Sequence, residues 1–91
     1  MNVLFVPEAF EQYQSWMTKG TISTLKRINT LIENCQRTPF EGIGKPEALR
    51  GNLTGSWSRR IDTEHRLVYT VQQDAKGEKT LVILACRGHY N

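Results

Sequence analysis

The sequence is poor in residues that staple, chelate or span. Its 91 residues hold two cysteines, Cys35 and Cys86, and two histidines, His65 and His89. Each cysteine lies inside an apolar pattern and reads as a buried thiol in a reducing cytoplasm rather than half of a disulfide. Neither histidine has a neighbouring cysteine or an HxxxH spacing, so no metal site and no cofactor are expected. No apolar run approaches the roughly 18 residues that cross a bilayer. The opening "MNVLFVPEAF" lacks the basic segment and small-residue cleavage site of a signal peptide and reads instead as a first strand. Repeats, linkers and low-complexity segments are absent as well. Hydrophobic content is 38%, too high for a disordered chain, and the length suits one domain over residues 1–91.

A large charge excess is also missing. The net charge is +3, mild for a protein that grips nucleic acid and compatible with an ordinary solvated surface. Its distribution is more telling. Glu8, Glu11 and Glu33 nearly balance the bases of the first forty positions, while Lys45, Arg50, Arg59, Arg60, Arg66 and Arg87 all lie from position 45 onward. Five of those six are arginine, whose planar fork suits phosphate.

The pattern of the chain predicts α+β. "NVLFV" is a strand, and Pro7 opens a helix on which Phe10, Tyr13, Trp16 and Met17 recur at helical spacing before Gly20 stops it. Thr21 or Ser23 caps a second helix with an apolar stripe of Ile22, Leu25, Ile28, Ile32 and Cys35. A long glycine-rich connection covers residues 40–56, with a helical turn expected near Glu47 to Arg50. Then come "WSRRI", "HRLVYTVQQ" and "TLVILAC", the last apolar enough to be a central strand. The order β-α-α-β-β-β predicts a helical hairpin on a mostly antiparallel sheet.

Alternation in "HRLVYTVQQ" puts Leu67, Tyr69 and Val71 on one face and Arg66, Val68 and Thr70 on the other. Pairing with the last strand brings Arg66 beside the tail "CRGHYN", with Arg87 and His89 on one face if Gly88 keeps the register. Glu47, on a restricted segment beside Lys45 and Arg50, supplies a carboxylate. A carboxylate, an arginine and a histidine on one concave surface suit RNA cleavage through the 2′-OH: a base, a cation for the charge on phosphorus, and an acid for the departing 5′-oxygen. Singly, each has an ordinary alternative. Glu47 serves as a solvated or helix N-terminal acid, Arg66 pairs with Asp62 or Glu64, His89 is a frayed polar end, Tyr90 plugs the core, and Arg59 and Arg60 are solubilising charges. His65, on the face opposite Arg66, reads as structural.

"RTPFEGIGKPEALRGNLTGSWSRRIDTEHRLVY" followed by "ILACRGHY" closely resembles the YoeB/Txe toxins of the RelE/ParE superfamily, and "WM…RINTLIENCQRTPFEG" extends the likeness over essentially the whole chain. The resemblance implies a RelE-like fold and a ribosome-dependent mRNA endoribonuclease of a toxin–antitoxin module, cutting mRNA in the A site of the 70S ribosome. By motif it implies Glu47 of "GKPE" as general base, Arg66 of "EHRLVY" as phosphate and transition-state contact, His89 of "CRGHY" as general acid and Tyr90 as an RNA contact. Lys45, Arg50, Arg59 and Arg60 are similar to the family's basic surface for mRNA and ribosomal RNA, and Arg87 is expected to bind RNA or the ribosome with them. Implied partners are a YefM-like antitoxin, operator DNA through the toxin–antitoxin complex, and a possible second copy as homodimer. The alternatives are a non-enzymatic toxin of the same fold: a gyrase inhibitor of the ParE branch, which does not carry the Glu47/Arg66/His89/Tyr90 set in this form, or a ribosome-blocking or co-repressor module. Three departures stand out. Asn91 follows the tyrosine at which the family commonly ends, the turn "DAKGEKT" is longer by about five residues, and Gly88 replaces a common aromatic, which is expected to loosen the tail.

Overall fold

The computed structural model describes residues 1–89; Tyr90 and Asn91, and what the sequence predicts for them, lie outside the described residues. The elements run β1 (Asn2–Phe5), α1 (Pro7–Lys19), α2 (Ile22–Arg37), β2 (Glu47–Ala48), a single 3-10 turn (Gly51–Leu53), β3 (Trp57–Arg60), β4 (Arg66–Gln73) and β5 (Lys79–Ala85). One five-stranded sheet has the order β1-β5-β4-β3-β2, with β1 parallel to β5 and every other pair antiparallel. The predicted α+β class therefore stands, with one strand more than expected. Glu47 and Ala48 form a short edge strand against Ser58 and Trp57, not a helical turn, and the 3-10 turn follows four residues later.

Both helices start as their sequences dictate. Pro7 occupies the first turn of α1, where its missing N–H costs nothing. Thr21, not Ser23, caps α2: its Oγ1 accepts the Thr24 N–H at 3.2 Å. Gly20 ends α1 for a reason other than a left-handed twist. Its backbone is extended, but an added Cβ would lie 2.5 Å from Cε3 of Trp16, so only glycine lets the chain turn under that ring.

The core lies between the helices and one sheet face. Trp16, Ile28, Leu31, Ile32 and Cys35 meet Leu67 and Tyr69 of β4 and Leu81 and Ile83 of β5. The helical stripes differ from their sequence-based reading. Ala9 and Trp16 face inward, while Phe10 and Met17 are 46% and 53% exposed. Positions 10 and 17 lie seven apart, on one line about 100° around the helix from Ala9, so size misled where spacing decides. On α2 the fully buried Leu31 takes a place expected of Ile22, which is 75% exposed in the first turn.

The other sheet face carries a smaller cluster, Leu49, Val68 and Ala85, flanked by Leu53 and Leu84. Pairing skips Leu84: Val68 opposes Ala85 while Tyr69 opposes Ile83. This bulge turns Ala85 to the open face and lets Cys86 enter the core.

Candidate active site

Three strands set the open face. Glu47 opposes Ser58, Ser58 opposes Val68, and Arg60 opposes Arg66. Directly paired residues share a face, so Glu47, Arg60 and Arg66 project on the side away from the helices. At about 4.8 Å per strand and about 3.4 Å per residue, the Glu47 and Arg66 backbones lie about 12 Å apart. Arg60 and Arg66 side by side are a like-charge pair, unfavourable by itself and relieved by an anion placed between them.

Glu47 is exposed at the end of a constrained run. Gly44 and Lys45 both have positive φ (79° and 52°), and Pro46 fixes the next residue. Left-handed backbone costs a residue with a Cβ about 1–2 kcal/mol, so Lys45 holds strain just before the carboxylate. Beyond it, Pro46, Glu47, Ala48, Leu49, Arg50 and Trp57 line a groove of about 470 Å³.

Arg59, predicted to face nucleic acid, is instead fully buried beneath this loop. It shares its strand face with Trp57 and Ile61, both packed on the core. Its Nε donates to the Tyr69 hydroxyl at 3.1 Å; Nη1 donates to Asn34 Oδ1 and to Ile43 O at 3.1 Å; Nη2 donates to Thr38 O at 2.5 Å and Glu41 O at 2.9 Å. Carbonyls just past the C-terminus of α2 thus stand in for a counter-ion. Tyr69 in turn donates to Pro39 O at 2.5 Å, and burial pushes its hydroxyl up to about 12 despite the Arg59 hydrogen bond. Asn34 also accepts Ile43 N–H at 3.3 Å, a role with no signal in the sequence.

Arg66 is half-buried, and Nη1 donates to the carbonyls of Asp62 at 2.8 Å and His65 at 3.1 Å. It is anchored to the backbone of the β3–β4 turn and forms no carboxylate pair among the described residues. The Asp62 carboxylate accepts the N–H groups of Glu64 and His65. Burial raises its pKa, but these bonds and the His65 and Arg66 charges outweigh burial and leave it lowered.

The hairpin brings the tail to Arg66 as topology requires: Arg66 N–H donates to Gly88 O at 2.8 Å. His89 follows and is exposed. Strand alternation does not continue that far. β5 ends at Ala85, the chain bends through 86–88, and Gly88 has φ 97°. Arg87, also predicted to bind RNA, lies on the helix side, 3.9 Å over the Trp16 ring with Nη2 donating to Ser15 Oγ at 2.9 Å. Gly88 itself is held at both polar groups, its backbone N–H and its C=O each being bonded. Lys45, Arg50 and Arg60 remain exposed.

Residues 5–90 match the family model described as a YoeB-like toxin of bacterial type II toxin–antitoxin systems. The chain belongs to this family. It is 47% identical to Toxin YoeB of Synechocystis over 90 residues, covering 99% of this chain and 98% of that one. The YoeB/ParE toxin from Agrobacterium tumefaciens superposes with a TM-score of 0.91 at 40% identity, over 99% of this chain and 100% of that one. YoeB from Staphylococcus aureus, solved as a dimer (TM-score 0.85) and within a heterotetrameric YoeB–YefM toxin–antitoxin complex (0.81), is 44% identical over 99% of this chain and 98% of its own. The α+β architecture is thus that of a YoeB/RelE-type toxin, and no helix among the described residues is long and apolar enough to cross a membrane.

Proposed function

We propose that this toxin is a ribosome-dependent mRNA endoribonuclease that cuts the message in the A site and halts translation in the cytoplasm. The observation that supports the reading is that Glu47 on an edge strand and Arg66 at the start of β4 share the open face, while His89 follows one residue past the Arg66–Gly88 bond. Glu47 takes the 2′-OH proton, the oxygen attacks phosphorus, Arg66 with Arg60 holds the phosphoryl oxygens, and His89 protonates the departing 5′-oxygen. Tyr90 contacts the base or phosphate. Lys45 and Arg50 extend the anion-binding surface beside Glu47. With so few exposed cations, the ribosome supplies much of the substrate's positioning.

A YefM-like antitoxin covers the toxin when translation must continue, and the complex binds its operator DNA; the S. aureus relative, solved with YefM and as a dimer, supports both this partner and a homodimer. The test is mapping mRNA 5′ ends on ribosomes programmed with a defined message. Glu47→Gln and His89→Ala are each expected to lower cleavage by about 100-fold or more, with the fold intact by circular dichroism. Wild-type cleavage by His89→Ala would remove the acid assignment. A toeprint stall without new RNA ends would favour a ribosome-blocking module.

A further inference from the structure

The last strand loses its ladder just before the residue that matters most. At Cys86 and at the Gly88 N–H, side chains replace strand partners. Gln12 Oε1 accepts Cys86 N–H at 2.7 Å, and Trp16 Nε1 donates to Cys86 O at 2.8 Å. Gly88 N–H donates to Nδ1 of His65 at 2.9 Å, while Gly88 O accepts from Arg66. Residues 65 and 66 therefore grip both polar groups of one peptide residue. That residue directly precedes His89, whose Cα lies about 3.8 Å further on.

We propose that His65 is a positioning residue for the reaction: its unprotonated Nδ1 accepts the Gly88 N–H and fixes where His89 leaves the sheet. The inference rests on the reading of His89 as general acid. The ring is well held for this task. It stands edge-on to Trp16 with centroids 4.9 Å apart, and the backbone N–H of His65 donates to Asp62 Oδ1 at 2.6 Å, which holds the residue that carries the ring. With Nδ1 accepting, the ring proton sits on Nε2, which lies 3.7 Å from Glu64 Oε2. A lysine or an aromatic hydrocarbon at this position offers no acceptor, and Gly88 N–H would then be released.

Two variants separate the acceptor from the ring. His65→Phe keeps an aromatic edge against Trp16 and removes the acceptor; His65→Asn restores an acceptor oxygen near the place of Nδ1. Single-turnover cleavage of ribosome-bound mRNA is expected to fall by about 100-fold in His65→Phe, as for displacement of a reacting group by about 1 Å, with the loss in kcat and little change in KM. His65→Asn is expected to recover most of it. In a His89→Ala background, His65→Phe is expected to add almost nothing, because it acts through the missing group. A full additive loss there, wild-type cleavage by His65→Phe, or no rescue by Asn would overturn the proposal. A readout independent of cleavage covers a phenylalanine variant that fails to fold and a protein that proves not to be a nuclease. Imidazole ¹⁵N spectra of the wild-type protein should show the Nε2–H tautomer, with slow exchange at the Gly88 amide. A proton on Nδ1 would sink the clamp, whatever the activity.

Discussion

Two irregular segments deliver the proposed reactive groups, and they are held in opposite ways. The loop over residues 38–46, which leads to Glu47, is gathered around one side chain: Arg59 reaches Asn34, Thr38, Glu41, Ile43 and Tyr69 at once, with Asn34, Tyr69 and the Arg60 N–H adding single bonds to Ile43, Pro39 and Gly44. The tail that leads to His89 rests on single bonds from four residues, Gln12, Trp16, His65 and Arg66, with the Arg87 side chain stacked on Trp16. A buried hub makes the loop all-or-none. Distributed bonds let the tail lose one contact without losing the rest, which suits a segment proposed to meet RNA and an antitoxin.

Breaking the hub should have the largest effect. Arg59→Met leaves three part-buried carbonyls, the Asn34 side chain and the Tyr69 hydroxyl without their donor, at up to about 1–3 kcal/mol for each group that water does not reach. A loss above about 3 kcal/mol is expected by urea denaturation, and Arg59→Lys should recover little of it, because one ammonium cannot span five acceptors. On the tail side, Trp16→Phe removes a single donor from the buried Cys86 carbonyl and much of the surface under Arg87. The expected cost is about 1–3 kcal/mol. Hydrogen exchange should quicken at 86–88 and leave 38–46 protected. Equal losses of protection in both segments would erase the contrast.

Tyr69 sharpens it through pH. Its folded pKa is raised to about 12 from 10.0, and that of Cys86 to about 11 from 9.0, both chiefly by burial. Both groups are stable as the protonated, neutral form in the fold. Their contribution is therefore fully present below the unfolded values and is lost as pH rises through the folded ones. Stability should fall from about pH 9 to about pH 12. Tyr69→Phe, costing about 1 kcal/mol at neutral pH for the hydroxyl between Arg59 and Pro39, should flatten the upper part of that fall. An unchanged alkaline slope in the variant would show that Tyr69 does not titrate with unfolding.

The strand alternation of β4, the two helices and the approach of the tail to Arg66 were legible because each follows from a period or from hairpin topology. Arg59 does not join the basic surface that the resemblance implies; position 59 shares its face with Trp57 and Ile61, both packed on the core, a signal already present in "WSRRI". Arg87 was misplaced because alternation was extended past the end of the strand, and nothing local announces that the Trp16 ring waits there. The acceptors Asn34 and Gln12 carry no sequence signal at all. Their roles depend on which turn of a helix meets a segment 25 or 74 residues away.

The smallest effect is expected at the end of the hairpin farthest from both segments. The five residues 74–78 link β4 to β5, and Asp74 Oδ1 organises them by accepting Lys76 and Glu78 N–H, each at 2.9 Å. Gln73 opposes Lys79, so the strands already face each other where the turn begins. Replacing 74–78 by Asn-Gly keeps that register and supplies the turn twist that a two-residue hairpin prefers. The Asp74 bonds stabilise only the turn that is removed, and shortening a loop about twofold gains roughly 0.6 kcal/mol of closure entropy. Melting should therefore stay level or rise slightly. Arg66 lies seven residues up β4, about 24 Å away, so cleavage and Gly88 amide protection should both match the wild type. A drop in either would mean that strain at the turn travels along β4 to the clamp, and the tail would then be less independent than its separate bonds imply.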